Sequence, residues 1–596
     1  MAQYQAPLDD IRFVAHDLLG LTDHYPSLRE IEVPDRETFD LMLEQGGRFC
    51  EQVLHPLYRS GDETGCDFNG GQVRLPIGYR EAREQFVASG WPGLTAATRW
   101  GGQALPRSVG IAINEMMCAT NPPWVMLVGL PSGVMMAVDA HGEEWQKERF
   151  FPGLVDGRFS ATMCLTEPHC GTDLGILRTR AEPEADGSYR ISGTKIFISY
   201  GEHDCAENII HLVLARLPDA PAGTSGISMF IVPKFMVHED QSLGERNRVS
   251  CGAIEHKMGY AASPTCVMNF DGATGYLVGK PNEGLKYMFV MMNDARIGSG
   301  MAGLGLANAS YQGALAYARE RLQMRSLSGK KNPDGAADPI IVHPGVRQLL
   351  LTQKAFTEGC RALCLDAARY GDLAEYGADE SVRKAASHRL GFLTPIVKGF
   401  VTEVSNECVS HGVQVLGGHG YIREHGMEQL MRDCRVSTIY EGTTQVQALD
   451  LLGRKIMLDH GRAMNALIAE IDAFCEQHRD HARIGAHAST LRGKLTNWQA
   501  LAGEIGMAAM KNPDEAGAAS VDFLMYSGYV LVAWYWLRLV LAAERKLEQG
   551  GDADFCRGKF KAADFYFARL LPRTLALAAS IRAGGNSLMA VADEEF

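Results

Sequence analysis

Residues 188–200 read SYRISGTKIFISY, a run dense in β-branched and aromatic side chains and punctuated by serine and glycine. Such a run is too short and too irregular for an amphipathic helix and predicts a strand. NIIHLVLARL (208–217), GISMFIVPKFMV (226–237) and CVMNF (266–270) have the same character, separated by Gly, Asp, Asn and Pro. Together they predict an antiparallel β-domain over residues 160–281.

Outward from this block the period changes. From 35 to 159 apolar residues recur at helical spacing, as in Phe39, Leu43, Phe49, Val53, Leu54 and Leu57, with SGDETGCDFNGG and RWGGQALP as loops. Helical periods return over 282–456, broken by the surface loop SGKKNPDGAADPIIVHP. A further helical domain is expected over 457–596, turning at MAAMKNPDEAGAAS, and residues 1–34 form an N-terminal extension. The fold class is therefore α+β multidomain: an N-terminal helical domain, the central antiparallel β-domain, a C-terminal helical bundle and an additional C-terminal helical domain. That order is not the strand–helix alternation of a doubly wound nucleotide-binding fold.

Bulk properties exclude several classes. The 596 residues carry 58 basic and 71 acidic side chains, a formal charge of −13, and no basic run, which argues against nucleic acid as a partner. The first residues lack the basic and apolar regions of a signal peptide, and the most apolar stretch, YVLVAWYWLRLVLAAERKL (529–547), is interrupted by Arg538. A cytoplasmic protein without a transmembrane segment is expected. The 14 cysteines show neither a disulfide framework nor zinc spacing, so no metal is expected.

GSGMAG (298–303) fits the dinucleotide fingerprint by letter, but it follows the helix-like EGLKYMFVMMNDARI and reads as tight helix packing. MCLTEPHCGTD (163–173) offers backbone N–H groups beside the Thr166 and Thr172 hydroxyls, suited to a polar heterocycle and a phosphate. GTKIFISYGEHD (193–204) sets Phe197 and Ser199 on one strand face, an aromatic ring beside a hydroxyl. GVQVLGGHGYIREHGMEQLMRD (412–433) has Gly417, Gly418 and Gly420 where a helix gives way. RVSTIYEGTTQVQ (435–447) puts Glu441 ahead of a helix, ordinarily the place of a cap or dipole partner.

In this order and at these separations, the motifs resemble the acyl-CoA dehydrogenases; KMGYAASPTCVMNFDG (257–272) and NDARIGSGMAGLGLANASYQGALAYARER (293–321) match too, and the likeness spans roughly 40–456. The resemblance implies FAD as cofactor and Glu441 as the base that removes the α-proton of an acyl-CoA thioester, with the β-hydride passing to the flavin. By matching position it implies cofactor contacts at Leu165, Thr166, Gly171, Thr172, Phe197, Ile198 and Ser199. Arg321, Gln323, Gln414, Gly417 and Gly418 are implied to reach the FAD of a neighbouring subunit, with further contacts at Thr443 and Gln445. Thr172, Asn293, Arg296 and Gly442 are implied on the acyl-CoA side.

Phe197 stands where many relatives carry Trp, Ser199 replaces a common Thr, and His169 and Cys170 replace a small pair, departures that leave the reaction class intact. The extensions are similar to a long bacterial branch that includes dehydrogenases of fatty acyl-CoA and of 3-(methylthio)propanoyl-CoA. Linear medium-to-long fatty acyl-CoA is the first expectation for substrate and the methylthio compound the second. An electron-transferring flavoprotein is the expected acceptor and a homodimer the expected assembly. An acyl-CoA oxidase and a DNA-binding alkylation-response flavoprotein are more distant alternatives. Burial should raise the Glu441 carboxyl and the helix start should lower it, with burial the stronger influence.

Overall fold

The computed structural model describes residues 4–596. The strands are β1 (Phe159–Cys164), β2 (Arg180–Pro183), β3 (Tyr189–Ser199), β4 (Asn208–Arg216), β5 (Ile227–Pro233), β6 (Val249–Ile254) and β7 (Thr265–Val278). They lie in the order β6-β7-β3-β2-β4-β1, and β5 pairs with both β4 and β7, so five strands close into a ring. The pairing is mostly antiparallel, as expected. The exceptions involve β4: β1 runs parallel to it from Phe159↔Asn208 to Cys164↔Val213, and Arg180 of β2 meets Arg216 in parallel. The long excursion between β1 and β4 contains β2 and β3 and lets the chain return in the same direction.

Alternation explains the unbroken apolar runs. Ile210, Leu212, Leu214, Met229 and Ile231 belong to one buried cluster, while Val213, Ala215, Phe230 and Val232 belong to another. Both faces of β4 and β5 are covered, so neither strand needs a polar side.

The principal helices are α1 (Leu8–Arg12), α2 (Arg107–Thr120), α3 (Pro122–His141), α4 (Gly284–Glu320), α5 (Pro344–Tyr376), α6 (Glu380–Leu416), α7 (Met427–Arg435), α8 (Thr444–Leu449), α9 (Asp514–Glu548) and α10 (Ala553–Phe565). The chain divides into two compact units. Among the described residues, one holds 48–106 and 120–295; the other holds 4–47, 107–119 and 296–596. The segment read as a loop, SGDETGCDFNGG, instead finishes a helix at Thr64 and forms a small hairpin pairing Asp67–Asn69 with Gln72–Arg74.

In the unit with the ring, α3 packs Val134 and Val138 against the β-sheet cluster, joined by Met288 and Met291 of α4. Met291 fills the space beside Gly133, where a Cβ would stand 2.8 Å from its side chain.

In the helical unit the GSGMAG segment lies within α4, as its context predicted. A Cβ on Gly300 would come within 2.8 Å of Val397, and one on Gly305 within 2.6 Å of the Ala119 backbone nitrogen. The glycines let helices cross closely.

The C-terminal helices pack on the same core. Tyr535 of α9 donates to Asp366 at 2.8 Å, Trp536 Nε1 donates to the Ala355 oxygen at 3.1 Å, and Gly528 lies flat against the Phe400 ring. Helices α3 and α9 are long and apolar enough to cross a membrane, but 83% of the apolar window of α9 is buried in the protein.

A buried charge network ties distant segments together. Arg361 of α5 donates three bonds of 2.6–3.0 Å to Glu115 of α2. Lys559 of α10 bonds Asp10 of α1 and lies 3.0 Å from Glu358 of α5.

Candidate functional site

In the ring-containing unit, β3 departs from strict alternation. Lys195 pairs with Met268 and Ile198 with Cys266, so Ile196 and Phe197 oppose the single residue Val267. This is a β-bulge, and it turns Phe197 to φ 59° with the residue 60% exposed while Ile198 stays buried. A left-handed conformation at a bulky residue costs about 1–3 kcal/mol and marks a position over-determined by its surroundings. Tyr200 is also left-handed, and its hydroxyl donates to the Pro123 oxygen at 2.7 Å, so both ends of the Ile198–Ser199 segment are fixed.

The loop after β1 lies alongside. The Thr166 oxygen accepts from Ile196 N at 2.9 Å, and a Cβ on Gly171 would approach the Thr166 methyl at 3.5 Å. Leu165 is buried, Thr166 half-buried, and Gly171 and Thr172 are exposed. The structure thus brings Thr166 beside the bulge that presents Phe197 and Ser199. An exposed aromatic ring beside hydroxyls and loop N–H groups suits a flat heterocycle with polar edges.

A buried ion pair braces this corner. Lys195 donates to Glu167 and to the Leu165 oxygen, both at 2.9 Å, while Glu167 also accepts from Thr179 Oγ1 at 2.6 Å and from the Arg178 and Thr179 nitrogens at 2.7 and 2.9 Å. Burial alone would raise the Glu167 carboxyl, but Lys195 and these donors hold it below its ordinary range. Glu167, His169 and Cys170 offer ligand atoms within 4.8 Å of one another. Because the Glu167 oxygens already neutralise a buried ammonium, a metal there would have to strip Lys195 of its partner.

In the helical unit, Glu441 and Gly442 are successive left-handed residues, at φ 54° and 86°, ahead of α8. Thr443 caps α8, its hydroxyl accepting from Val446 N at 3.3 Å. Gln447 reaches back from α8 to donate to the Glu441 backbone oxygen at 3.1 Å. A Cβ on Gly442 would stand 2.7 Å from that amide and displace it, and the backbone conformation favours glycine. Thr444 donates to Glu403 of α6 at 2.5 Å, fastening the turn to the helix behind it.

Glu441 is half-buried as a residue, and burial of its carboxyl pushes it up to about 7 against the pull of Arg296 and Lys398. Burial lowers the Arg296 guanidinium despite Asp450 at 3.8 Å, and lowers Lys398 to about 8. A carboxyl poised near neutrality is suited to removing a proton.

Arg296, which the resemblance puts on the acyl-CoA side, thus acts electrostatically on the carboxyl. Asn293, three residues earlier on α4, is exposed. Gln445 is exposed on α8.

Arg321, Gln323, Gln414, Gly417 and Gly418 are all exposed. Tyr317 near the end of α4 hydrogen-bonds His419 at 2.7 Å, joining the base of the Arg321 loop to the turn after Gln414. Gly417 has φ 59° and ψ −133°, a conformation left to glycine. Asp338 organises the loop: its carboxylate accepts from Ser326, Lys331 and Asn332 nitrogens at 2.7–3.0 Å and from Arg325 at 3.2 Å, and these bonds hold it down at about 2.

The sequence reading missed Lys398, Gln447, Glu403 and Asp338. Lys398 had a visible signal, a lone cation inside the apolar run FLTPIVKGFV. Gln447 stood within a quoted motif but had no assigned role.

Over residues 37–158, 162–273, 282–457 and 467–592 the chain matches, in turn, the families described as acyl-CoA dehydrogenase N-terminal domain, middle domain and C-terminal domain, and acetyl-CoA dehydrogenase C-terminal like. It is similar to the 3-methylmercaptopropionyl-CoA dehydrogenase of Ruegeria pomeroyi, with 43% identity over 592 residues that span 98% of this chain and 99% of that protein. It is also similar to a broad-specificity linear acyl-CoA dehydrogenase of Mycobacterium tuberculosis, with 32% identity over the full length of both. Among solved structures, an acyl-CoA dehydrogenase of Bacillus anthracis complexed with FAD superposes with a TM-score of 0.75 at 19% identity, covering 93% of this chain and 89% of that one.

Proposed function

The chain belongs to the acyl-CoA dehydrogenase family, and from that premise we propose that this FAD-dependent enzyme oxidises 3-(methylthio)propanoyl-CoA to its α,β-unsaturated thioester. The observation that carries the substrate is the 43% identity, end to end, with the 3-methylmercaptopropionyl-CoA dehydrogenase. It favours the second expectation from the sequence over the first. A linear fatty acyl-CoA stands as the second reading, supported by the 32% identical broad-specificity relative.

Glu441 removes the α-proton. Its raised carboxyl is a matched acceptor, and the two left-handed residues with the Gln447 brace fix its direction. Thr166, Thr172, Phe197 and Ser199, with backbone at Leu165, Gly171 and Ile198, hold the flavin; the exposed bulge residue Phe197 supports this. FAD, when bound, supplies the acceptor for the hydride that leaves Cβ. Arg296, Asn293, Thr172 and Gly442 serve the acyl-CoA, and Thr443 and Gln445 contribute further cofactor contacts.

The exposed Arg321, Gln323, Gln414, Gly417 and Gly418 are assigned to the flavin of a second copy in a homodimer. Electrons then pass to an electron-transferring flavoprotein.

The test is anaerobic bleaching of the flavin's visible absorbance with 3-(methylthio)propanoyl-CoA and a series from butanoyl-CoA to palmitoyl-CoA. The methylthio substrate is expected to bleach with the highest efficiency. Preference for palmitoyl-CoA would overturn the substrate assignment, and a flavin bleached by no member of the panel would overturn the activity.

A further inference from the structure

Three lysines are fully enclosed among the described residues: Lys195, Lys398 and Lys559. Lys195 donates to Glu167, and Lys559 bonds Asp10 beside Glu358. Among the described residues, Lys398 Nζ is buried without a hydrogen-bond partner. A buried ammonium with no such partner is strongly disfavoured unless negative charge lies close by. Its presence therefore asks which anion it serves.

The packing of α6 narrows the answer. Lys398 is followed by Gly399, where a Cβ would stand 3.4 Å from Gln447 Cβ, and Gln447 is the residue that holds the Glu441 backbone. The anions acting on Lys398 are Glu441 and Glu403. Glu403, on its own helix, already accepts from Thr444 at 2.5 Å. The other cation acting on Glu441 is Arg296 of α4, and it is shared with Asp450 at 3.8 Å, a carboxylate that also takes Arg454 at 3.2 Å. Of the two anions, Glu403 is hydrogen-bonded by Thr444, whereas Glu441 is balanced only by Lys398 and by an Arg296 that Asp450 shares.

We propose that Lys398 is a positioning residue for the reaction: its buried ammonium is the counter-charge that keeps Glu441 ionised, and so able to accept a proton, against the burial that favours the neutral carboxyl. This deepens the role given to Glu441 above and rests on that reading for its kinetic consequence. Burial drives a carboxyl toward its neutral form, in which it cannot act as a base. A fixed positive charge opposes that drift. An ammonium with no competing hydrogen bond leaves the carboxylate oxygens available to the substrate.

The experiment follows the Glu441 carboxyl directly, by infrared titration of the substrate-free flavoprotein. Its band is identified by its loss in Glu441→Gln, and Lys398→Met and Lys398→Arg are compared with wild type. Lys398→Met is expected to raise the midpoint by at least about one pH unit, the size expected for loss of a nearby opposite charge. Lys398→Arg, which keeps the charge, is expected to restore most of the shift. The acidic limb of flavin bleaching by substrate should move with the midpoint, a roughly tenfold loss of rate per unit below the new value.

An unmoved or lowered midpoint in Lys398→Met would overturn the inference, as would Lys398→Arg shifting as far as Lys398→Met. Should Lys398→Met not accumulate with bound flavin, Lys398→Gln replaces it with the same expected direction. Wild-type flavin left unbleached would overturn the activity reading, while the infrared midpoints would still decide the Lys398 inference.

Discussion

The amide of Gln447 donates to the backbone oxygen of Glu441 at 3.1 Å, so the helix that follows the carboxylate also holds its main chain. Gln447→Leu removes that bond and should lower kcat by up to about tenfold, the worth of one neutral hydrogen bond to the backbone that carries the carboxylate, with KM little changed. Single-turnover bleaching separates the two parameters.

Glu441→Gln keeps the size of the side chain and abolishes its basicity. Loss of a positioned base typically lowers the chemical rate by about 10²- to 10⁴-fold. The variant should retain flavin, bind acyl-CoA and bleach correspondingly slowly. Retention of full rate would transfer the proton-accepting role to another group.

The carboxyl at about 7 fixes the sign of the pH dependence. Glu441 must be ionised to accept the α-proton, so the rate of flavin reduction should fall as pH drops through neutrality and level off above it. A rapid-mixing series across pH 5–9 checks this. A limb at about pH 4, the ordinary glutamate range, would contradict the desolvated environment.

Lys195 and Glu167 form a buried pair beneath the loop that carries Thr166. Lys195→Met strands the carboxylate and should destabilise the fold by about 3–5 kcal/mol, read as a lower Tm and weakened flavin retention. Adding Glu167→Leu removes the stranded charge and should recover much of the Tm.

Asp338 gathers three backbone N–H groups and Arg325, and the loop between them holds the exposed Leu327. Asp338→Ala should open the segment to limited proteolysis after Arg325 or Lys331, while the thermal transition of the remainder stays nearly constant. Equal cleavage rates for the two proteins would show that the loop is held by other contacts.

The alternation of Leu212 with Val213 and the helical recurrence of Phe39 and Leu43 were legible because burial of apolar side chains leaves a period in the chain. Glu441 was singled out through its motif as the candidate base. The bulge at Phe197 was not: strict alternation places Phe197 and Ser199 on one face, whereas the extra residue opposite Val267 is a property of pairing between distant strands. The parallel meeting of β1 and β4 escaped for the same reason. Glu115 and Arg361 resemble surface charges on ordinary helices, and only the tertiary fold brings them to 2.6 Å in the interior.

The bond between Asp10 and Lys559 joins residues 549 positions apart. During synthesis α1 leaves the ribosome long before Lys559 exists, so this bond can form only once residue 559 has been made. Removal of α10 would leave Asp10 without Lys559, so a change late in the sequence would be felt in a helix 549 positions earlier.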